Sequence, residues 1–153
     1  MRKISKDEKW MELCKAGAPI FSTCSKAQYF SVIVDDQQQI IGQGYNGVPP
    51  RMVHCSSGGC PRAMNNVPSG TDYNSGLGLC YSAHAEQNAL SRGDSSRYAD
   101  ATLYVNGTPC MTCARQIAAS GVRRIGLIAD HDREDAEIVY DFLRTARIKV
   151  VEL

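Results

Sequence analysis

The sequence predicts an α/β fold: a three-layer α/β/α sandwich around a five-stranded mixed sheet, formed as one domain over residues 1–153. Two observations carry that expectation. Two β-rich runs near residues 30 and 42 are joined by a short polar turn, the form of a hairpin. After residue 100, strand-like and helix-like runs alternate, which implies parallel strands joined by right-handed crossovers with helices laid over the sheet. A chain of 153 residues buries a sizeable core without staples.

In chain order, Ser5 to Glu8 has capping-box form and starts the first helix. Trp10, Leu13, Cys14, Gly17 and Phe21 follow at helical spacing and predict its apolar face, and Pro19 marks a kink or an end. Tyr29–Val34, a turn at Asp35–Gln37, and Ile40–Tyr45 form the hairpin. From residue 46 to 80 the periodicity vanishes into a long Gly- and Cys-rich loop, a length that signals function or disorder. Ala85–Leu90 is a good helix former with Gly93 as its stop. Ala101–Val105 is the third strand, Cys110–Ser120 a helix closed by Gly121, and Arg124–Ala129 the fourth strand. A helix over Arg133–Arg147, with Ala136, Val139, Tyr140 and Leu143 inward, leads to the last strand at Ile148–Val151.

Composition excludes several classes. The net charge of +1 comes from scattered basic residues, which disfavours a long phosphate backbone as partner. No apolar run is long enough for a membrane span, and the first ten residues lack the apolar centre of a signal peptide. Seven cysteines suit metal ligation in a reducing compartment better than a disulfide framework, so a cytoplasmic location is expected.

The chemistry is concentrated between Cys80 and Cys113. His84, Cys110 and Cys113 supply the three protein ligands of a catalytic zinc, whose remaining tetrahedral position is left to water. The cysteines are three apart on one helical turn, and the positive end of that helix favours thiolates. Pro109 is placed at the helix start, where its missing N–H costs nothing. Glu86 stays off the metal as proton shuttle. His84 and Glu86, two apart, would point about 200° away from each other on a regular helix. Both reach one site only where the chain is turning into its helix. A CxxC alone also fits a redox pair, a structural zinc site or two buried thiols. A histidine followed two residues later by glutamate, then Pro-Cys-x-x-Cys, is the signature of zinc nucleobase deaminases.

With HAEQNAL, PCMTCA and the earlier GYNGVP (Gly44–Pro49), the chain resembles the deoxycytidylate (dCMP) deaminases of the cytidine/deoxycytidylate deaminase superfamily, over nearly its whole length. The resemblance implies the cytidine-deaminase-like sandwich and conversion of dCMP to dUMP and ammonia, which supplies thymidylate synthesis in pyrimidine metabolism. It implies substrate contacts at Asn46, Ala85 and Tyr104, and a phosphate contact at Lys26; as residues alone, Asn46 also reads as a turn asparagine before Gly47 and Tyr104 as a core aromatic of its strand. It also implies a homo-oligomer, often a hexamer, and allosteric control by dCTP and dTTP. Cys24 and Cys55 match ligands of a second, structural zinc in part of the family; Cys60 and Cys80 would complete it, with His54 in reserve, or the four are free thiols. Cys14 is read as packing. One departure concerns the phosphate. Where many members carry arginine and glycine after the STC triplet, this chain has Ala27 and Phe30, leaving Lys26 as a point charge. Arg62, Arg92 and Arg115 are read as surface charges, any of which could compensate. The alternatives are a deaminase of another cytosine-bearing small molecule, a non-catalytic zinc-binding domain, which would have no use for Glu86, and a polynucleotide deaminase, which the charge balance disfavours.

Overall fold

The computed structural model describes residues 1–153. Helix α1 (Lys6–Phe21) opens on the capping box: Ser5 Oγ accepts the Glu8 N–H at 3.2 Å, and the Glu8 carboxylate accepts the Ser5 N–H at 2.7 Å. The helix continues through Pro19. Its buried stripe is Met11, Cys14, Gly17 and Ala18, whereas Leu13 and Phe21 are 40% and 51% exposed. The predicted face is therefore rotated. Asp7 explains the rotation, because its carboxylate receives both Nη groups of Arg124 at 2.7 Å and the Tyr104 hydroxyl at 2.6 Å. This polar clamp sets the first turn of α1 against the sheet, and Met11, Cys14 and Ala18 follow on the same face.

Strands β1 (Phe30–Val34) and β2 (Ile40–Tyr45) form the expected antiparallel hairpin, with Phe30 opposite Tyr45. The long loop that follows is ordered by two 3-10 turns and the short helix α2 (Pro61–Met64). Helix α3 (Ala85–Arg92) leads to β3 (Thr102–Val105), which pairs antiparallel with β1. Helix α4 (Met111–Ser120), β4 (Arg124–Leu127), α5 (Ala136–Thr145) and β5 (Lys149–Glu152) complete the chain. β3, β4 and β5 are parallel, and the sheet order is β2-β1-β3-β4-β5. This is the mixed five-stranded sheet of the sequence reading, with element ends shifted by a residue or two except at α5, which starts at Ala136 rather than Arg133.

Strand alternation divides the core. Phe30, Val32, Val34 and Tyr104 face α1, while Ile33, Leu103, Val105, Ile125 and Leu127 face the layer made by α3, α4 and α5. Gly44 permits close approach of β2 to α3: a Cβ there would lie 2.4 Å from the Ala89 nitrogen and 2.6 Å from the Ala85 carbonyl oxygen. The start of β1 and the ends of β2 and β3 share one edge of the sheet. No helix is long and apolar enough to cross a membrane.

Candidate active site

The N-termini of α3 and α4 meet at that edge. His84 is the N-cap of α3, with extended backbone (φ −75°, ψ 159°), and its N–H is held by the Gln87 side chain at 2.7 Å. The preceding residue is pinned to the GYNG turn, since Gly47 and Ala83 exchange backbone hydrogen bonds of 3.1 and 2.9 Å. Because His84 stands outside the helix and Glu86 inside its first turn, the 200° separation of a regular helix does not apply, and both line one cavity. Cys110 is likewise an N-cap (φ −75°, ψ 167°), which places Pro109 just outside the helix rather than at its first position.

His84 Nδ1 lies 3.5 Å from Cys110 Sγ and 3.4 Å from Cys113 Sγ, and the three donor atoms all fall within 4.8 Å of one another. Sulfur and nitrogen donors held about 2.3 and about 2.0 Å from one ion at a tetrahedral angle stand about 3.5 Å apart. Both His84–sulfur edges therefore match a tetrahedral zinc site. In the metal-free chain these groups share protons. The Cys113 thiol, the His84 ring and the Cys113 N–H push Cys110 down to about 4, although burial opposes this. Cys113 moves up, because it donates to the Cys110 thiolate and is buried. The same thiolate holds His84 above its ordinary value. Glu86 is 6% exposed, and burial raises its carboxyl.

The cavity has a volume of about 510 Å³. Glu86 is the only carboxylate on its wall, whereas Lys26, Arg62 and Arg133 all line it. Asn46 lines it too, but most of its amide is already used: Oδ1 accepts Ser22 Oγ at 2.5 Å and the Tyr29 N–H at 2.8 Å, and Nδ2 donates to the Ala27 carbonyl at 2.8 Å. Asn46 thus fixes the 22–29 wall and keeps one N–H to offer. Lys26 is exposed at the rim, its Nζ on the Val67 carbonyl at 2.9 Å. Arg62, read from sequence as a surface charge, is 8% exposed; its Nη1 donates to the carbonyls of Thr71 and Gly78, and its guanidinium lies 4.6 Å from the Tyr73 ring centre. Tyr73 in turn meets the His84 ring edge-on at 5.6 Å. Arg92 and Arg115 are exposed and away from the cavity.

Two residues predicted as contacts do not line the cavity. Tyr104 is absent from the cavity wall, because strand alternation turns it to the α1 face, where it binds Asp7 and Arg124. The aromatic walls are Tyr29 and Tyr73 instead. Ala85 is fully buried and does not line the cavity. Cys24, Cys55, Cys60 and Cys80 all line the cavity, but their sulfurs do not converge within the 4.8 Å that the His84 triad meets; His54 is exposed and apart. Cys14 is buried in the α1 layer, with burial pushing its thiol up to about 12. Arg133 and the tyrosine walls carry no motif, so nothing in the sequence singled them out.

The family model for the cytidine and deoxycytidylate deaminase zinc-binding region matches residues 4–129. The chain belongs to this family. Among family relatives, the deoxycytidylate deaminase of Mycobacterium phage D29 is 40% identical over 120 residues, covering 78% of this chain and 91% of that protein. The deoxycytidylate deaminase of Saccharomyces cerevisiae is 36% identical over 126 residues, which is 82% of this chain but only 38% of the yeast protein. The solved structure of dCMP deaminase from cyanophage S-TIM5, in complex with dCMP and dUMP, superposes with a TM-score of 0.70 at 20% identity, covering 100% of each chain. That likeness shows the fold, a cytidine-deaminase-like α/β architecture.

Proposed function

We propose that this chain is a hydrolytic deaminase that converts dCMP and water to dUMP and ammonia. The observation that carries the reading is one cavity lined by His84 and Cys110, which with the buried Cys113 form a zinc-ready triad, with the buried Glu86 carboxylate and cationic side chains also on its walls. Zinc held by His84, Cys110 and Cys113 would supply Lewis-acid activation of water. Glu86 takes a proton from the attacking water and delivers it to the ring nitrogen of cytosine. It then takes the remaining proton of the new C4 hydroxyl and passes it to the departing amino group, so that ammonia leaves, the C4 oxygen becomes a carbonyl and Glu86 returns to its starting charge. Burial suits Glu86 to this work, since a carboxyl raised above its ordinary value is a stronger proton acceptor than an exposed one. Lys26 and Arg62, neither of them in an ion pair with a carboxylate, favour an anionic substrate, and the guanidinium of Arg62 offers the two-pronged geometry that Lys26 cannot. Asn46 offers its remaining N–H to the sugar. The phage relatives point to the same nucleotide.

Ammonia release from dCMP, CMP, dCTP, deoxycytidine and cytosine tests the reading. We expect kcat/KM for dCMP to exceed that for deoxycytidine by about 100-fold or more, as a charged hydrogen-bonded contact of about 3 kcal/mol provides. Equal rates with and without the phosphate overturn it. Repeating the assay with dCTP and dTTP tests nucleotide control, and light scattering tests the homo-oligomer.

The proposal includes a second, structural zinc at Cys24, Cys55, Cys60 and Cys80. Cys60 carries the support: although burial opposes ionisation, the backbone amides of Tyr81 and Ala63 and the Cys55 thiol move it below the ordinary thiol value, beside neighbouring thiols that burial moves the other way. Burial raises Cys55, to about 11, and Cys80. Two zinc ions per chain support the second site, and one removes it.

A further inference from the structure

Arg133 lies in the loop between β4 and α5 and belongs to none of the motifs. Its Nη1 donates to the Thr108 carbonyl and its Nη2 to the Pro109 carbonyl, both at 2.7 Å, while Nε binds the Asp135 carboxylate. Those are the last two carbonyls before Cys110. Thr108 is tied down as well: its hydroxyl donates to the Ile128 carbonyl at 3.0 Å and receives the Asp130 N–H and the Tyr140 hydroxyl, each at 2.9 Å.

The need for this strap follows from local structure. Cys113 is inside α4 and is placed by the helix ladder, but Cys110 is an extended N-cap with a proline before it. Residues 106–109 belong to no helix or strand, so the position of Cys110 Sγ depends on what holds the backbone ahead of it. Two adjacent carbonyls facing one guanidinium fork provide that restraint. An ammonium, as a single point donor, does not reproduce it.

We propose that Arg133 is the positioning residue for Cys110, holding its sulfur at the 3.5 Å edge from His84 that a tetrahedral metal requires. The inference rests on the zinc reading of the triad and not on the identity of the substrate. Because Arg133 also lines the cavity, its rival role is an anchor for the substrate's anionic group, and kinetics separates the two.

The test compares zinc-loaded wild type, R133K and R133A for the rate of zinc transfer to a chromogenic chelator and for kcat and KM on dCMP. Loss of such an outer contact typically costs about 10- to 100-fold in metal affinity or activity. Zinc release should therefore quicken by about 10-fold or more in both variants, with kcat reduced and KM for R133K within about twofold of wild type. Added guanidinium ion should slow zinc release from R133A and leave R133K unchanged. Unchanged zinc release overturns the proposal, as does a rise in KM with kcat intact. R133K keeps the charge and the side-chain stem, so it carries the test if R133A fails to fold, and thermal melts report that directly. Should wild type fail to deaminate dCMP, the substrate reading falls, while zinc release still decides the role of Arg133.

Discussion

Replacing Glu86 with glutamine keeps the shape of the side chain and removes its capacity to carry a proton. General acid–base catalysis by one placed group contributes about 10²- to 10⁴-fold. The structure argues for the upper end, because Glu86 is the only carboxylate on the cavity wall and no other acidic group is placed to substitute for it. A 10⁴-fold fall in kcat corresponds to about 5.4 kcal/mol of barrier at about 1.36 kcal/mol per tenfold. The ligand triad is untouched, so zinc content and KM should stay near the wild-type values. The assay is ammonia release from dCMP alongside metal analysis of the same protein. Glu86→Gln with a tenth or more of wild-type kcat, or with zinc lost in step with activity, would refute the shuttle. A stability measurement checks the same argument from the other side. Burial raises the Glu86 carboxyl in the folded metal-free chain, so the folded state holds that proton more tightly than the unfolded state does. Its ionisation then costs stability progressively as pH rises from the unfolded value to the folded one. Metal-free Glu86→Gln should accordingly melt above metal-free wild type at neutral pH and converge with it below about pH 4, near the unfolded carboxylate value.

Gly44→Ala would drive a Cβ to 2.4 Å from the Ala89 nitrogen, a backbone atom fixed within α3; we expect about 3 kcal/mol of destabilisation and a drop in Tm of about 6 °C or more, and an unchanged melt would refute the packing argument. Asp7 is held below the ordinary carboxylate range by the Arg124 side chain, with burial opposing, so its contribution is fully present above the unfolded value and is lost as pH falls through the folded one. Asp7→Asn should cost about 2 kcal/mol at neutral pH, a gap in denaturation midpoint that narrows below about pH 4. Loading zinc into the metal-free chain should release protons, read with an indicator dye in weak buffer, because the Cys113 thiol holds a proton that a metal displaces; Cys110→Ser should neither retain the metal nor show that release.

How much of the site was legible depended on the range of the interaction that made it. Cys110 and Cys113 are three residues apart, so one turn of chain brings their sulfurs together whatever surrounds it, and spacing sufficed. His84 and Glu86 were legible for the complementary reason, since residues two apart in a helix-forming run can share a site only at its entry, and His84 is the N-cap of α3. Tyr104 failed because its strand was readable but its face was not. Alternation says that Tyr104 and Val105 point oppositely, yet which one meets the cavity depends on where α1 lies. The face of α1 failed for a related reason: counting apolar residues omits Asp7, the charged residue whose pairing with Arg124, 117 positions away, sets the rotation. Arg62 and Arg133 look like ordinary surface charges in sequence, and only the backbone carbonyls of distant loops reveal them as buried or cavity-lining. The residues that could hold a metal are thus written into short spacings, while the groups that bond the backbone beside them are supplied by chain far away. For that reason the release of zinc from Arg133 variants bears more directly on how this fold builds its site than any further change to the motif residues.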